Sequence, residues 1–196
     1  NQSWREQTMI GYELEHQFAD NLTFRQNARY ATIKQKYRYL VYANSAANST
    51  VLTRRAQREA RTTNEFGLDN QLEYQLETGS VSHTLLGGFD YKTSKDKQLL
   101  ARGSGSQYDL DWTNPVYGVN VDESTFKTAS DEQQNLDQMG LYLQEQMSWN
   151  NWEWLVSGRY DWSEVRTSDF TDNSVTQQND SKFTWRTGLL YAFDSG

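Results

Sequence analysis

From Trp152 to Trp162 the apolar and aromatic residues Trp152, Trp154, Val156, Tyr160 and Trp162 hold even positions, while the odd positions carry mostly polar side chains, Glu153, Ser157, Arg159 and Asp161. A period of two is the signature of a β-strand with one apolar and one wet face. The same alternation recurs along the chain. Ile10, Tyr12, Leu14 and Phe18 oppose Gly11, Glu13, Glu15 and Gln17; Phe66, Leu68, Leu72, Tyr74 and Leu76 oppose Glu65, Asp69, Gln71, Glu73, Gln75 and Glu77. Val81, Leu85, Phe89 and Tyr91 oppose Ser82, Thr84, Asp90 and Lys92; Met139, Leu141, Leu143, Met147 and Trp149 oppose Tyr142, Gln144 and Gln146; Phe183, Trp185, Leu189, Tyr191 and Phe193 oppose Lys182, Thr184 and Arg186. Glu145 is the exception, a carboxylate on the apolar side, which its expected place near a water interface accommodates.

The pattern predicts seven strands, at about 6–18, 22–43, 57–77, 81–99, 134–149, 152–169 and 180–194. Asp20-Asn21, Thr78-Gly79-Ser80 and Asn150-Asn151 read as tight turns, and Asp194-Ser195-Gly196 as another. The alternate links, about 44–56, 100–133 and 170–179, are rich in Ser, Asn, Asp, Thr and Gly and read as extended loops. Short turns at one end and long loops at the other are the layout of bacterial outer-membrane barrels. An antiparallel sheet with one solvated face in a soluble protein gives the same alternation. Strand length favours the barrel, because the second and third strands approach about twenty residues where globular strands average about five or six. Phe18, Trp149, Trp152, Trp154, Tyr191 and Phe193 gather near the short turns, as in an aromatic girdle at a membrane interface. The expected fold is therefore all-β, an antiparallel meander of about seven long strands forming a section of a large outer-membrane β-barrel.

Composition narrows the chemistry. The 196 residues include twelve Tyr, seven Trp, one Pro and no Cys, which excludes a disulfide framework and a thiolate metal site. A net charge of -7 argues against a nucleic-acid surface, which needs clustered Lys and Arg in excess. No run approaches the roughly 20 apolar residues of a membrane-spanning helix, and Asn1-Gln2-Ser3-Trp4 is not the start of a signal peptide. A mean hydropathy of -0.91 leaves barrel strands open, since only alternate residues face lipid. His16 and His83 fall on outward faces without paired carboxylates at ligand spacing, so no metal site is expected. No nucleophile elbow or phosphate-cradling glycine loop is present, so no enzyme and no intrinsic cofactor are expected.

Taken together, Gly11-Tyr12-Glu13 with His16 and Phe18, Arg25-Gln26-Asn27 with Arg29, His83-Thr84-Leu85-Leu86 with Asp90, and Asn114-Pro115-Val116 form an ordered series. It continues through Gly140-Leu141-Tyr142-Leu143-Gln144-Glu145-Gln146, Gly158-Arg159-Tyr160-Asp161-Trp162 and Phe183-Thr184-Trp185-Arg186 with Gly188 and Phe193-Asp194. In order and spacing this series resembles the TonB-dependent siderophore receptors of Gram-negative outer membranes, in their ferrichrome (hydroxamate) branch. The resemblance implies a barrel of about 22 strands around an N-terminal plug. Residues 1–196 are then expected to be a partial barrel, with the plug, the TonB-contacting region and the closing strands elsewhere. The implied activity is binding an iron-loaded hydroxamate siderophore, as transported ligand, and importing it with TonB-derived energy across the outer membrane of a Gram-negative bacterium.

By parity, Arg25, Arg29, Glu73, Asp90, Arg159, Asp161 and Arg186 face the lumen, where opposite charges on adjacent strands pair as a structural network at about 0.2–1 kcal/mol each. The segment Tyr37-Arg38-Tyr39-Leu40-Val41-Tyr42 lies at the outer end of the second strand. The resemblance places paired tyrosines of the ligand wall here, at Tyr37 and Tyr39 with Tyr42 as a weaker candidate, and implies a further aromatic near Leu99, Leu100 or Ala101. The sequence has Leu100 instead, and it lacks the cysteine pair of the ferrichrome receptor, so a ferrioxamine or another hydroxamate fits as well as ferrichrome. Two other readings remain: a soluble β-barrel ligand-binding module, and an outer-membrane barrel that does not transport. An isolated section with two open edges and an apolar face is expected to oligomerise or to need detergent or lipid.

Overall fold

In a computed structural model, residues 3–193 are described. The expected turn at Asp194-Ser195-Gly196 lies outside them. The strands are β1 (Trp4–Ala19), β2 (Leu22–Asn44), β3 (Val51–Thr78), β4 (Val81–Ser104), β5 (Leu110–Asp111), β6 (Lys127–Trp149), β7 (Trp152–Asp169) and β8 (Ser174–Tyr191). All pairings are antiparallel, in the order β1-β2-β3-β4-β6-β7-β8, and the two-residue β5 pairs with the start of β3. The seven long strands thus form the expected meander.

The register converts sequence parity into two faces. Cross-strand partners share a face, so Leu14↔Gln26↔Asn70↔Phe89↔Leu141↔Tyr160↔Phe183 forms one row of the first face. The next row, Glu15↔Arg25↔Gln71↔Gly88↔Tyr142↔Arg159↔Thr184, lies on the second. On the first face the apolar side chains occupy about eleven residues above the tight turns, for example Trp149 to Met139 on β6 and Trp152 to Trp162 on β7. That length of tilted strand matches the hydrocarbon thickness of a bilayer, and aromatic rings mark both of its ends. Beyond it the same face turns polar, with Lys34 and Lys36 on β2 and Lys95 and Lys97 on β4.

No second sheet covers the apolar face among the described residues. Ile10 is 70% exposed, Leu143 59% and Trp185 71%, and the buried residues among those described are few and mostly small: Ala31, Ala56, Ala101, Gly103, Gly140, Gln57 and Tyr108. Among the described residues the tryptophans and leucines do not converge into the dry nucleus that the soluble-module reading requires.

Several polar groups on the apolar face pair with one another. His83 Nδ1 and Glu145 Oε1 share a hydrogen bond at 2.8 Å, which accounts for the carboxylate that breaks the alternation. Gln26 and Asn70 break it as well: Tyr12 Oη donates to Gln26 Oε1 at 2.6 Å, and Gln26 Nε2 donates to Asn70 Oδ1 at 2.6 Å. Hydrocarbon offers no hydrogen bonds, so polar atoms there must satisfy each other.

Strand boundaries depart from expectation mainly at the loop end; at the other, β8 stops at Tyr191 and not at 194. β3 begins at Val51 and not near 57, β4 runs to Ser104, β6 starts at Lys127 and β8 at Ser174, so the long links shrink to 45–50, 105–126 and 170–173. Beyond the apolar band both faces are wet. Alternation disappears there and Ser, Asn and Thr mimic loop composition, although the backbone ladder continues. The tight turns fall as expected, with Gly79 (φ 64) and Asn150 (φ 50) in the left-handed region. Asn21 Nδ2 donates to Gln75 O, and Asn151 Nδ2 to Ala192 O, at 2.9 Å each, so a turn amide also ties down the neighbouring strand.

Candidate functional site

The charged face carries two clusters at its turn-proximal end. Arg159 donates from Nη1 and Nη2 to Asp90 at 2.6 and 3.0 Å and from Nε to Asp161 Oδ1 at 2.7 Å. Its guanidinium lies 5.6 Å from the Tyr142 ring centroid, while Tyr142 Oη donates to Asp69 Oδ1 at 3.1 Å. Asp69 stands directly opposite Asp90, so Arg159, Tyr142 and Gln71 share the work of holding two like charges on adjacent strands. Both flat side chains lie over glycines: a Cβ at Gly88 would meet the Tyr142 ring, and one at Gly140 the Arg159 guanidinium. In the other cluster Arg25 donates to Glu15 and Glu73 at 2.7 Å each. Arg186 bonds the neutral oxygens of Ser157 and Gln144, and Arg29 faces the same side between Gly11 and Gly67 without joining either cluster. All seven expected wall residues share this face, five of them in the two ion clusters.

The opposite end of the charged face brings the remaining candidates together. Tyr37↔Glu59↔Leu100 form one row and Tyr39↔Gln57↔Arg102 the next. Tyr39 Oη donates to Glu59 Oε2 at 3.4 Å, and Gln98 Nε2 donates to Glu59 Oε1 at 3.1 Å. Gln57 is only 7% exposed. With its amide oriented by the network, its oxygen accepts from Arg55 Nε and Arg102 Nε at 3.1 Å each, and its NH2 donates to Tyr39 Oη at 3.2 Å. Tyr37, Tyr39 and Leu100 therefore sit in adjacent rows. Tyr42 does not join them: it stands opposite Arg54 on the other face, since an even position on β2 points away. Arg55, Gln57, Glu59, Gln98 and Arg102 are the wall residues that sequence reasoning missed. Gln57, Glu59 and Gln98 lie within the expected strands, where parity alone puts them on this face; Arg55 and Arg102 require β3 to extend back to 51 and β4 forward to 104.

The link 105–126 packs against the other face of the same strand ends. Tyr108 is buried, Arg54 Nε donates to its carbonyl at 2.6 Å, and the Phe126 ring lies on Gly103. Arg38 and Arg58 stand opposite each other and Glu123 bridges both. The turn carrying Glu123 is capped by Asp122, whose carboxyl the Ser124 side chain and backbone N–H hold below the usual carboxylate range. Asp111 is lowered by Thr113, and Asp172 by Ser174, in the same manner.

Known proteins share both the sequence and this architecture. Residues 1–196 match the family model described as "TonB dependent receptor-like, beta-barrel". The chain is 36% identical over 193 residues to the Ferrioxamine B receptor of Salmonella typhimurium (strain SL1344), covering 98% of this chain and 27% of that protein. It is 28% identical over 213 residues to the Ferrichrome outer membrane transporter/phage receptor of Escherichia coli (strain K12), covering 98% of this chain and 28% of that protein. The crystal structure of the siderophore receptor PiuA from Acinetobacter baumannii superposes with a TM-score of 0.79 at 18% identity, over 96% of this chain and 30% of that one, and shows the fold. The chain thus spans little more than a quarter of the relatives it matches.

Proposed function

Because the chain belongs to the TonB-dependent receptor-like β-barrel family of the Gram-negative outer membrane, we propose that it forms about a third of the wall of a receptor that binds a ferric hydroxamate siderophore and imports it with TonB-derived energy. Seven strands of about 22 give that share. The observation that carries the reading is the placement of Tyr37 and Tyr39 on the charged face, at the end opposite the tight turns, beside Leu100. Two phenols there supply flat apolar area and hydroxyls to an iron-hydroxamate entering from outside. The relatives are receptors and transporters, not enzymes, and two of them are named for hydroxamate siderophores. In this reading the ion clusters of the lower wall stiffen the sheet and hold a polar plug, and TonB engages parts of the receptor other than these strands.

The full-length receptor is expected to bind at least one member of a ferric hydroxamate panel at micromolar affinity or better, and Tyr39→Ala to weaken that binding about tenfold, measured by quenching of tryptophan fluorescence. No binding across the panel sinks the ligand class and leaves the barrel standing. The 196 residues alone leave β1 and β8 each paired on one side only, with the apolar face open. In plain buffer they are expected to associate, and light scattering is expected to report monodisperse particles only with detergent. A stable monomer without detergent contradicts this.

A further inference from the structure

The outermost rows of the charged wall gather three cations, Arg55, Arg102 and Lys127, in a chain whose net charge is -7. Arg55 and Arg102 converge on one neutral acceptor, the amide oxygen of Gln57, at 3.1 Å each. Among the described residues no carboxylate bonds either guanidinium. Lys127 on β6 stands directly opposite Arg102, adding a third cation across the strand pair. Like charges placed opposite each other oppose folding, so the sheet gives up stability to hold them there. The carboxylates nearby have other partners: Glu59 accepts from Tyr39 and Gln98, Asp96 accepts from Arg61 and Thr63, and Glu132, opposite Gln98, accepts from Ser130. Gln57 is nine-tenths buried and is itself positioned by Tyr39, so the two forks are held by a rigid side chain next to the proposed ligand tyrosine.

We propose that Arg55 and Arg102, set by Gln57 and supported by Lys127, form a carboxylate-recognising subsite, and that the cargo is a ferric hydroxamate carrying a free carboxylate. This rests on the siderophore reading above. Iron(III) bound by three hydroxamates is neutral, so the pendant group alone sets the sign of the cargo. A planar guanidinium presents two parallel donors to a carboxylate, and two such forks beside an aromatic ring orient the pendant arm while the ring packs on the iron-hydroxamate core. A cationic wall end on an otherwise acidic chain also draws an anionic cargo toward the tyrosines and repels a cationic one.

The test uses the full-length receptor and three ferric trihydroxamates with one common core: ferrioxamine B with its terminal ammonium, its N-acetyl derivative, which is neutral, and its N-succinyl derivative, which ends in a carboxylate. The expected order of affinity is carboxylate, then neutral, then ammonium, with about tenfold between the first two. That advantage shrinks as salt is raised. In the double variant Arg55→Gln with Arg102→Gln the carboxylate form binds to within about twofold of the neutral form, both measured on that variant. Should the double variant fail to insert, Arg102→Gln alone carries the test, because that side chain is exposed and, among the described residues, bonds only Gln57. Equal binding of all three probes, or an unchanged ranking in the variant, overturns the subsite and spares the siderophore reading. Failure of all three to bind, while another ferric hydroxamate of the panel binds, also overturns the subsite; failure of the whole panel removes both.

Discussion

Leu143→Arg is expected to destabilise the lipid-inserted barrel by about 2–4 kcal/mol, the cost of placing an arginine near the bilayer midplane on a lipid-facing strand position. Leu143 lies on the apolar face of β6, about halfway along the band from Trp149 to Met139, and is 59% exposed, so its side chain points away from the sheet. Its cross-strand partners are Gly87 and Gly158, which offer no long polar side chain to accept a guanidinium. Snorkelling lowers the penalty near the ends of a band more than at its centre. Gln138→Arg is the matched control. It lies on the same strand on the charged face, in register with Lys92 and Ser163, where water or polar groups solvate an added charge and repulsion from Lys92 adds a cost well under about 1–2 kcal/mol. Chemical denaturation of the full-length receptor in lipid vesicles compares the two. An equal loss at both positions, or no loss at Leu143, removes the assignment of faces on which the whole reading depends.

Arg159→Met is expected to cost about 1–2 kcal/mol. The estimate lies between the small yield of an exposed ion pair and the larger loss on breaking a buried one, because Arg159, Asp90 and Asp161 each keep roughly a third of their side chains exposed. Methionine retains much of the aliphatic stem, so the loss reports mainly the charge and its five donors. Without the guanidinium, Asp90 faces Asp69 across the strand pair with no cation between them, and Asp161 stands in the same row beyond Gly140. The Tyr142 ring also loses its cationic neighbour. Combining Arg159→Met with Asp90→Asn is expected to recover part of the loss, since the second change removes the uncompensated carboxylate. The non-additivity in that double-mutant cycle is the measure of coupling. Additive effects would mean that the two side chains fold independently of each other.

The sequence by itself determined which side chains share a face. Parity is a local property of an extended backbone, so Trp152, Trp154, Tyr160 and Trp162 had to part from Arg159 and Asp161 whatever the strands paired with. It also determined the tight turns, because Asn150 and Gly79 adopt dihedrals that other residues resist. Tyr37 and Tyr39 were placed correctly on the charged side by the same counting, and Tyr42 by the same counting belongs to the other. Only the tertiary structure decided where the strands end. Above the apolar band neither face is dry, so hydrophobic alternation carries no signal, and residues such as Arg55 and Arg102 read as loop although they continue β3 and β4. Only it decided the partners as well. His83 explains Glu145, Tyr12 explains Gln26, and Gln57 gathers two arginines from different strands, because hydrogen-bond satisfaction across a sheet depends on register, which no single strand encodes.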